Sequence, residues 1–190
     1  MPANKQFQTM LQLRIELQHS NPLIWRTILI PKGITLIKLH RAIQHAMGWW
    51  DGHLHEFDIN GIRYGMVDPE WDQDPELEDE KRKRLSRVLA GRKRFDYLYD
   101  FGDHWLHKIK VEKAYSVIEL PSQIFCVAGE NSCPPEDVGG LPGYSELLEI
   151  IADPNNEERE DMLNWLGSED FDPSYFDQNE ADARLREIKL

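Results

Sequence analysis

Tyr97-Leu98-Tyr99-Asp100-Phe101-Gly102-Asp103-His104-Trp105-Leu106-His107 is the segment that most constrains the fold of this chain. It carries four aromatic residues, two carboxylates and two imidazoles around one glycine. Apolar positions recur on both sides of it, and Gly-Asp steps are typical of two-residue hairpin turns. We therefore predict strands at 95–101 and 104–115, joined by a turn at Gly102-Asp103.

The predicted turn fixes which residues face each other across the hairpin. Asp100 would lie opposite Trp105, and Leu98 opposite His107. Asp100 and His107 would then be diagonal neighbours on a sheet face that is largely apolar. Since an unpaired buried charge is costly, we expect the two side chains to form a hydrogen bond. Such a pair can orient a histidine base, hold a metal ion, or simply fix the strand register.

A second polar cluster follows at Pro134-Pro135-Glu136-Asp137-Val138-Gly139-Gly140. The prolines restrict the backbone, and the glycines allow conformations that other residues avoid. Two carboxylates presented in this way can bind a cation or a basic group, or they can cap a helix. If the two clusters meet, the candidate catalytic residues are Asp100, His107, Glu136 and Asp137. The candidate metal ligands are Asp100, Asp103, His107, His53, His55, Glu136 and Asp137.

The first half of the chain is dominated by strand patterns. Period-two alternation predicts a strand at 11–17, and a β-branched run predicts its antiparallel neighbour at 25–30. Helical spacing then predicts a helix from the cap Thr35 to the stop signal Gly48, with His40 and His45 in packing or surface roles. Asn60-Gly61 predicts a hairpin between 53–59 and 62–65. On that first strand, His53 and His55 would share a face with Phe57.

The second half of the chain ends in helical patterns. Residues 121–143 show little periodicity and are expected to form a loop, whereas 144–190 contain three helical segments. Strands followed by helices indicate an α+β fold. We predict a single domain over 1–190, with a mostly antiparallel sheet and one helix within 1–120. A helical C-terminal part completes it.

The net charge of −12 is concentrated at one end of the chain. Residues 130–190 contain 17 acids and 4 bases, while 1–129 contain 17 acids and 18 bases. An acidic end repels phosphates, so nucleic acid is an unfavourable partner and a basic protein is a favourable one. The basic residues of 81–94 directly follow an acidic run at 68–80. A solvated charged loop is the main expectation there, and a phosphate-binding patch is the alternative.

Cysteine usage and hydropathy bear on the cellular compartment. Cys126 and Cys133 are seven residues apart, which is not zinc-ribbon spacing. We expect two free thiols, with a shared metal site or a small disulfide loop as alternatives. No apolar run approaches the length of a membrane span, and residues 1–8 do not resemble a signal peptide. A cytoplasmic location without membrane contact is the expectation.

Two functions are compatible with these patterns, and no established catalytic signature is present. The first is a non-enzymatic binding or adaptor module, which uses the aromatic hairpin and the 129–140 segment. Its candidate contact residues are Trp49, Trp50 and Tyr99, with Trp71 as a further exposed anchor. The second is a metal-assisted hydrolase, for which phosphodiesters are one substrate class. It requires a divalent metal and three or four converging ligands.

Several ordered blocks support a family assignment. They are Ile24-Trp25-Arg26, Leu39-His40-Arg41-Ala42-Ile43-Gln44, Gly48-Trp49, His53-Leu54-His55-Glu56-Phe57, the segment Tyr99 to His107, Gly129-Glu130, Pro134 to Gly140, Phe171-Asp172-Pro173 and Phe176-Asp177. Together the blocks resemble the plasmid pRiA4b ORF-three-like family over about residues 10–180. The resemblance implies an α+β fold and an association with plasmids, mobile elements and microbial chromosomes. The family has no assigned activity, so the resemblance implies no reaction and no cofactor.

Overall fold

The computed structural model describes residues 7–68, 74–167 and 171–190. In these ranges eight strands form one sheet in the order β5-β4-β3-β6-β7-β1-β2-β8. Every neighbouring pair is antiparallel except β4–β5. The predicted α+β class with a mostly antiparallel sheet is confirmed. The strands are β1 (Gln8–Leu17), β2 (Trp25–Pro31), β3 (His55–Ile59), β4 (Ile62–Gly65), β5 (Leu77–Asp79), β6 (Arg94–Tyr99), β7 (Trp105–Val117) and β8 (Phe125–Glu130).

The helices cover part of the sheet and close one end of it. They are α1 (Leu36–Met47), α2 (Leu85–Val88), α3 (Gly140–Ala152), α4 (Arg159–Leu166) and α5 (Gln178–Leu185), with a 3₁₀ turn at Glu80–Arg82. In α1 the predicted end is confirmed, because Gly48 adopts the left-handed conformation with φ 98°. α5 contacts both α1 and β8, and so holds the C-terminal part against the sheet. Among the described residues, the helices are all too short or too polar to cross a bilayer.

Strand β1 lies between β2 and β7. The alternating sequence pattern predicted it correctly because its side chains alternate between the core and the outer face. Leu11, Leu13, Ile15 and Leu17 are buried, while the residues between them are partly exposed. Burying the apolar side of each strand supplies most of the favourable free energy of folding. The predicted β1–β2 pairing is confirmed by the register Leu13↔Ile28.

The register predicted for the β6–β7 hairpin is wrong by one residue. The ladder pairs Tyr99 with Trp105 and Tyr97 with His107, so residues 100–104 form a five-residue loop. At its ends Asp100 and His104 take φ values of 55° and 59°, and the His104 N–H donates to the Asp100 carbonyl at 2.7 Å. Asp100 therefore leaves the ladder and does not lie diagonal to His107 on a shared sheet face.

The two segments predicted to be irregular contain sheet structure. Within the charged region of 66–84, β5 pairs with β4, and Arg84 forms a bridge with Thr35. Within 121–143, β8 adds an edge strand to β2. Gly129 obscured this strand in the sequence. It is required because a Cβ there would lie 2.6 Å from Phe176 Cζ.

Candidate metal centre

Three loops converge at one end of the sheet. They are the 49–54 loop between α1 and β3, the 100–104 loop between β6 and β7, and the 131–139 loop between β8 and α3. The hydroxyl of Tyr99, the last residue of β6, lies at their junction. It accepts from the backbone N–H of Gly52 at 3.0 Å and of His53 at 3.3 Å, and it donates to Glu136 Oε1. One phenol thus fixes the 49–54 loop against the 131–139 loop.

Further contacts tie the same loops together. The Trp50 N–H donates to Glu136 Oε2 at 3.1 Å, and Trp49 Nε1–H donates to the Pro134 carbonyl at 2.9 Å. The Gly139 N–H donates to Asp103 Oδ2 at 3.2 Å. The two polar clusters recognised in the sequence therefore meet in space, although they are far apart along the chain.

The titratable side chains brought together are His53, Asp100 and Asp137, one from each loop. His53 Nδ1 lies 3.7 Å from Asp100 Oδ2, and His53 Nε2 lies 3.2 Å from Asp137 Oδ1. One potential ligand atom from each residue lies within 4.8 Å of the others. Asp100 is buried, His53 is half-buried and Asp137 is exposed, so the cluster is open to solvent on one side.

The backbone holds both carboxylates in an uncommon conformation. Asp100 has φ 55° and Asp137 has φ 61°, in the left-handed region that few non-glycine residues occupy. Asp100 is kept there by two bonds: its N–H donates to the Leu54 carbonyl, and its Oδ1 accepts from the Gly102 N–H at 2.8 Å. Residues held in such conformations cluster at functional sites more often than elsewhere.

One imidazole nitrogen and two carboxylate oxygens are donor atoms of the kind that can bind a divalent metal ion. Imidazole suits zinc, and carboxylates suit manganese and magnesium, so the mixed set favours zinc or manganese. Three protein ligands leave coordination positions for water or substrate, as in catalytic rather than structural zinc sites.

The remaining sequence candidates lie beside the cluster or outside it. Both oxygens of Glu136 accept hydrogen bonds, from Tyr99 and Trp50, and Asp103 is bonded to the Gly139 N–H. These two residues hold the loops in position. Among the described residues, the group of possible metal ligands includes neither His55 nor His107.

His107 belongs to the hydrophobic core. It is fully buried, and its ring meets Trp49 edge-on at 5.3 Å between centroids. Neither ring nitrogen makes a hydrogen bond of standard geometry among the described residues, although the backbone of Trp105 and Tyr97 lies close enough to favour the protonated ring weakly. Burial lowers the pKa of His107 to about 4, so the imidazole is neutral near pH 7.

His55 is part of a buried polar chain that the sequence did not reveal. Its Nε2 lies 3.0 Å from Glu80 Oε2, and its ring stacks on His40 at 3.5 Å between centroids. His40 in turn contacts Asp51 and the Tyr97 hydroxyl. The packing role predicted for His40 agrees with its burial, but no local signal marks Glu80, which lies within a charged run. These contacts join α1, β3 and the 3₁₀ turn.

The candidate contact residues differ in exposure. Trp50 is 88% exposed, whereas Trp49 is 7% exposed and Tyr99 is fully buried, so the last two are not surface anchors. Trp49 and Tyr99 are aromatic residues that stand next to polar residues in the sequence. This pattern does not distinguish core positions from surface positions. Trp71 lies outside the described residues. Trp50 borders a cleft of about 590 Å³ that is also lined by Glu136, Asp137, Trp165 and Tyr175.

Cys126 and Cys133 are both free thiols, so the predicted disulfide alternative is wrong. Burial raises the pKa of Cys126 to about 11 and also raises the pKa of Cys133. In the ranges covered by the structure, neither thiol belongs to the possible metal-ligand group. Both therefore pack as small, unreactive side chains.

Comparison with known proteins places the chain in a family. Residues 9–180 match the family described as "Plasmid pRiA4b ORF-3-like protein". The uncharacterized protein y4hQ of Sinorhizobium fredii (strain NBRC 101917 / NGR234) is 39% identical over 165 residues, which cover 86% of this chain and 84% of that protein. The crystal structure of MM3350 from Methanosarcina mazei Go1, a protein of unknown function, matches with a TM-score of 0.81 and 37% identity. The match covers 92% of this chain and 98% of the MM3350 chain. The chain belongs to the plasmid pRiA4b ORF-3-like family.

Proposed function

We propose that this protein binds a divalent metal ion through His53, Asp100 and Asp137 and uses it for metal-assisted hydrolysis. The observation that carries the proposal is the convergence of three ligand atoms within 4.8 Å, each from a different loop. A three-residue centre leaves room for a bound water, whose pKa the metal lowers so that it becomes a nucleophile near neutral pH.

The surroundings support a site that is held in advance of binding. Tyr99 binds the backbone N–H of His53 and the side chain of Glu136, the residue before Asp137, so little ordering is required when a metal arrives. The adjoining cleft offers about 590 Å³ next to Asp137, which is enough for a small-molecule substrate.

The experiment that tests metal binding is calorimetric titration of metal-free protein with zinc and with manganese chloride. We expect one ion per chain for at least one of the two metals. Asp100→Asn, Asp137→Asn and His53→Gln should each weaken binding at least about tenfold, because each removes one of three ligands. Asp161→Asn removes the same charge from the exposed face of α4 and should bind metal like the original protein.

Two outcomes would contradict this proposal at different steps. If the titration gives no saturable binding, or if Asp161→Asn weakens it as much as the cluster variants do, the metal centre does not exist. If metal binds but neither p-nitrophenyl acetate nor bis(p-nitrophenyl) phosphate is hydrolysed faster than by Asp100→Asn, the centre is not hydrolytic. Faster hydrolysis of the second compound alone would identify a phosphodiesterase.

A second candidate function is an adaptor for a basic protein, and the exposure of Trp50 favours it. Large exposed aromatic residues beside a cleft are frequent anchors in protein interfaces. The cleft also carries the carboxylates of Asp137 and Glu180, in a protein with a net charge of −12. A partner with an Arg- or Lys-rich surface matches this charge.

For the adaptor, Trp50→Ala is expected to abolish partner capture while changing the free energy of unfolding by less than about 0.5 kcal/mol. The small effect on stability follows from the 88% exposure of Trp50. The measurement is affinity capture from cell extract, followed by urea unfolding of each variant. Ile118→Ala removes an apolar residue outside the cleft that is also largely exposed, at 57%, and should retain the partner. Retention by Trp50→Ala as well would argue against this surface.

A further inference from the structure

A cleft of about 800 Å³ lies at the start of α1 and shares no lining residue with the cleft beside the metal centre. It is formed by the beginning of β1, the β2–α1 connection and the segment around Arg84. We propose that this cleft binds a small molecule that carries a phosphate group. Its polar lining residues are Gln8, Thr9, Lys32, Thr35, Lys38, Arg84 and Ser86.

The charge of the cleft is opposite to that of the protein. The chain has 34 acidic and 22 basic residues, yet the lining contains Lys32, Lys38 and Arg84 and no acidic side chain. Elsewhere, bases such as Arg63 and Lys108 form salt bridges with carboxylates. A concave surface lined by three cationic and no acidic side chains attracts anions.

The three cationic side chains form few polar contacts with other described residues. Among the described residues none of them forms a salt bridge with a carboxylate, and the one hydrogen bond of their side chains runs from Arg84 Nη1 to the Gly33 carbonyl at 2.8 Å. Because these cations come from separate elements and line one concave surface, their positive charge is left available to an anionic ligand.

The N-terminus of α1 adds backbone donors to the same place. This 12-residue helix has no acidic residue in its first turn and no side-chain cap. The N–H groups of Ile37 and Lys38 have no acceptor among the described residues. Helix N-termini of this kind bind anions, because their free N–H groups and the helix dipole both favour negative charge.

Thr35 provides the observation that is independent of charge. It occupies the N-cap position and lines the cleft, but its buried hydroxyl has no hydrogen-bond partner among the described residues. Buried polar groups are normally satisfied, so an unsatisfied hydroxyl at a helix N-terminus indicates a missing partner. Rotation of the Thr35 side chain toward the cleft would allow a phosphate oxygen to accept from this hydroxyl and from the first-turn N–H groups together.

The chemistry favours a phosphate borne by a small molecule. A phosphomonoester carries nearly two negative charges and three acceptor oxygens, which matches three cations, a hydroxyl and two N–H groups. The apolar lining residues Phe7, Ile34, Leu120 and Leu190 can contact the rest of such a ligand. A polynucleotide fits poorly, since its further phosphates would extend over a protein of net charge −12.

Titration with inorganic phosphate and with phenyl phosphate at low ionic strength tests the site. Calorimetry should give one saturable site per chain, with phenyl phosphate binding more tightly than inorganic phosphate. Amide NMR shifts should be largest at Ile37 and Lys38. The double variant Lys32→Gln/Lys38→Gln should bind at least about tenfold more weakly, and Thr35→Val should bind several-fold more weakly.

The matched control is Lys110→Gln/Lys113→Gln, which removes the same charge from exposed positions on β7 outside the cleft. It should keep the affinity within about twofold, because a general loss of positive charge acts weakly at a distance. The proposal is overturned if no saturable site is found, if the shifts map elsewhere, or if the control weakens binding as much as Lys32→Gln/Lys38→Gln. Metal titrations of the same variants should be unchanged, which separates this site from the metal centre.

Discussion

Replacing Gly140 with alanine is expected to lower the free energy of unfolding by about 3 kcal/mol and to weaken metal binding. Gly140 begins α3 with φ 68°, a conformation that costs alanine about 1–2 kcal/mol. An added Cβ would also lie 2.5 Å from the Asp103 carbonyl oxygen, so backbone must move. That movement displaces the 100–104 loop, which carries Asp100.

Gly91→Ala is the matched control for this prediction. Gly91 has φ 85°, and a Cβ built there has no neighbour within 4 Å. It should therefore show the conformational cost without the clash. Urea unfolding and zinc titration of both variants provide the comparison. If Gly140→Ala loses no more stability than Gly91→Ala and keeps its metal affinity, then the close approach of the two loops does not organise the site.

The second large effect is a loss of stability in mild acid that originates in His107. Its pKa is about 4 in the folded protein, whereas an unperturbed histidine has a pKa of about 6.5. Between about pH 6.5 and 4, the unfolded chain therefore binds a proton that the folded chain does not bind. The free energy of unfolding is unaffected by this group above about pH 6.5 and falls as the pH is lowered toward 4. The shift corresponds to about 3 kcal/mol. Burial also lowers the pKa of His40, which adds in the same direction.

His107→Leu should remove most of this pH dependence, since leucine has a similar volume and does not titrate. The measurement is urea unfolding at several values between pH 4 and 7.5. His19→Asn replaces an exposed histidine and should leave the slope unchanged. An unaltered slope in His107→Leu would show that another group controls acid stability.

Local sequence patterns predicted those elements whose geometry is set locally. The alternation at 11–17 corresponds to β1, and the stop signal at Gly48 corresponds to the end of α1. The Asn60-Gly61 turn corresponds to the β3–β4 hairpin. In each case a few neighbouring residues determine the backbone, and burial of one face selects the register.

The 100–104 loop shows where local reasoning fails. Gly102-Asp103 has the composition of a two-residue turn, but Asp100 and His104 both adopt left-handed φ and lengthen the loop to five residues. Asp100 is held in this conformation by bonds to Leu54 and Gly102, and Leu54 belongs to another loop. A non-local contact of this kind has no signature in the surrounding sequence.

The candidate site was predicted only in part, because it also depends on non-local contacts. His53, Asp100 and Asp137 were each recognised as potential ligands, yet the sequence grouped Asp100 with His107. Which histidine accompanies the carboxylates depends on the one-residue register of β6–β7 and on Tyr99 holding the 49–54 loop in place. Both are consequences of the assembled sheet.

The convergence of three loops on His53, Asp100 and Asp137 has a thermodynamic consequence for the whole chain. The ligands come from segments far apart in sequence, so the unfolded ensemble cannot offer them together. A bound ion would act as a reversible cross-link that closes two long loops at once. Its binding free energy would then appear in full as resistance to unfolding, growing with the logarithm of the free metal concentration.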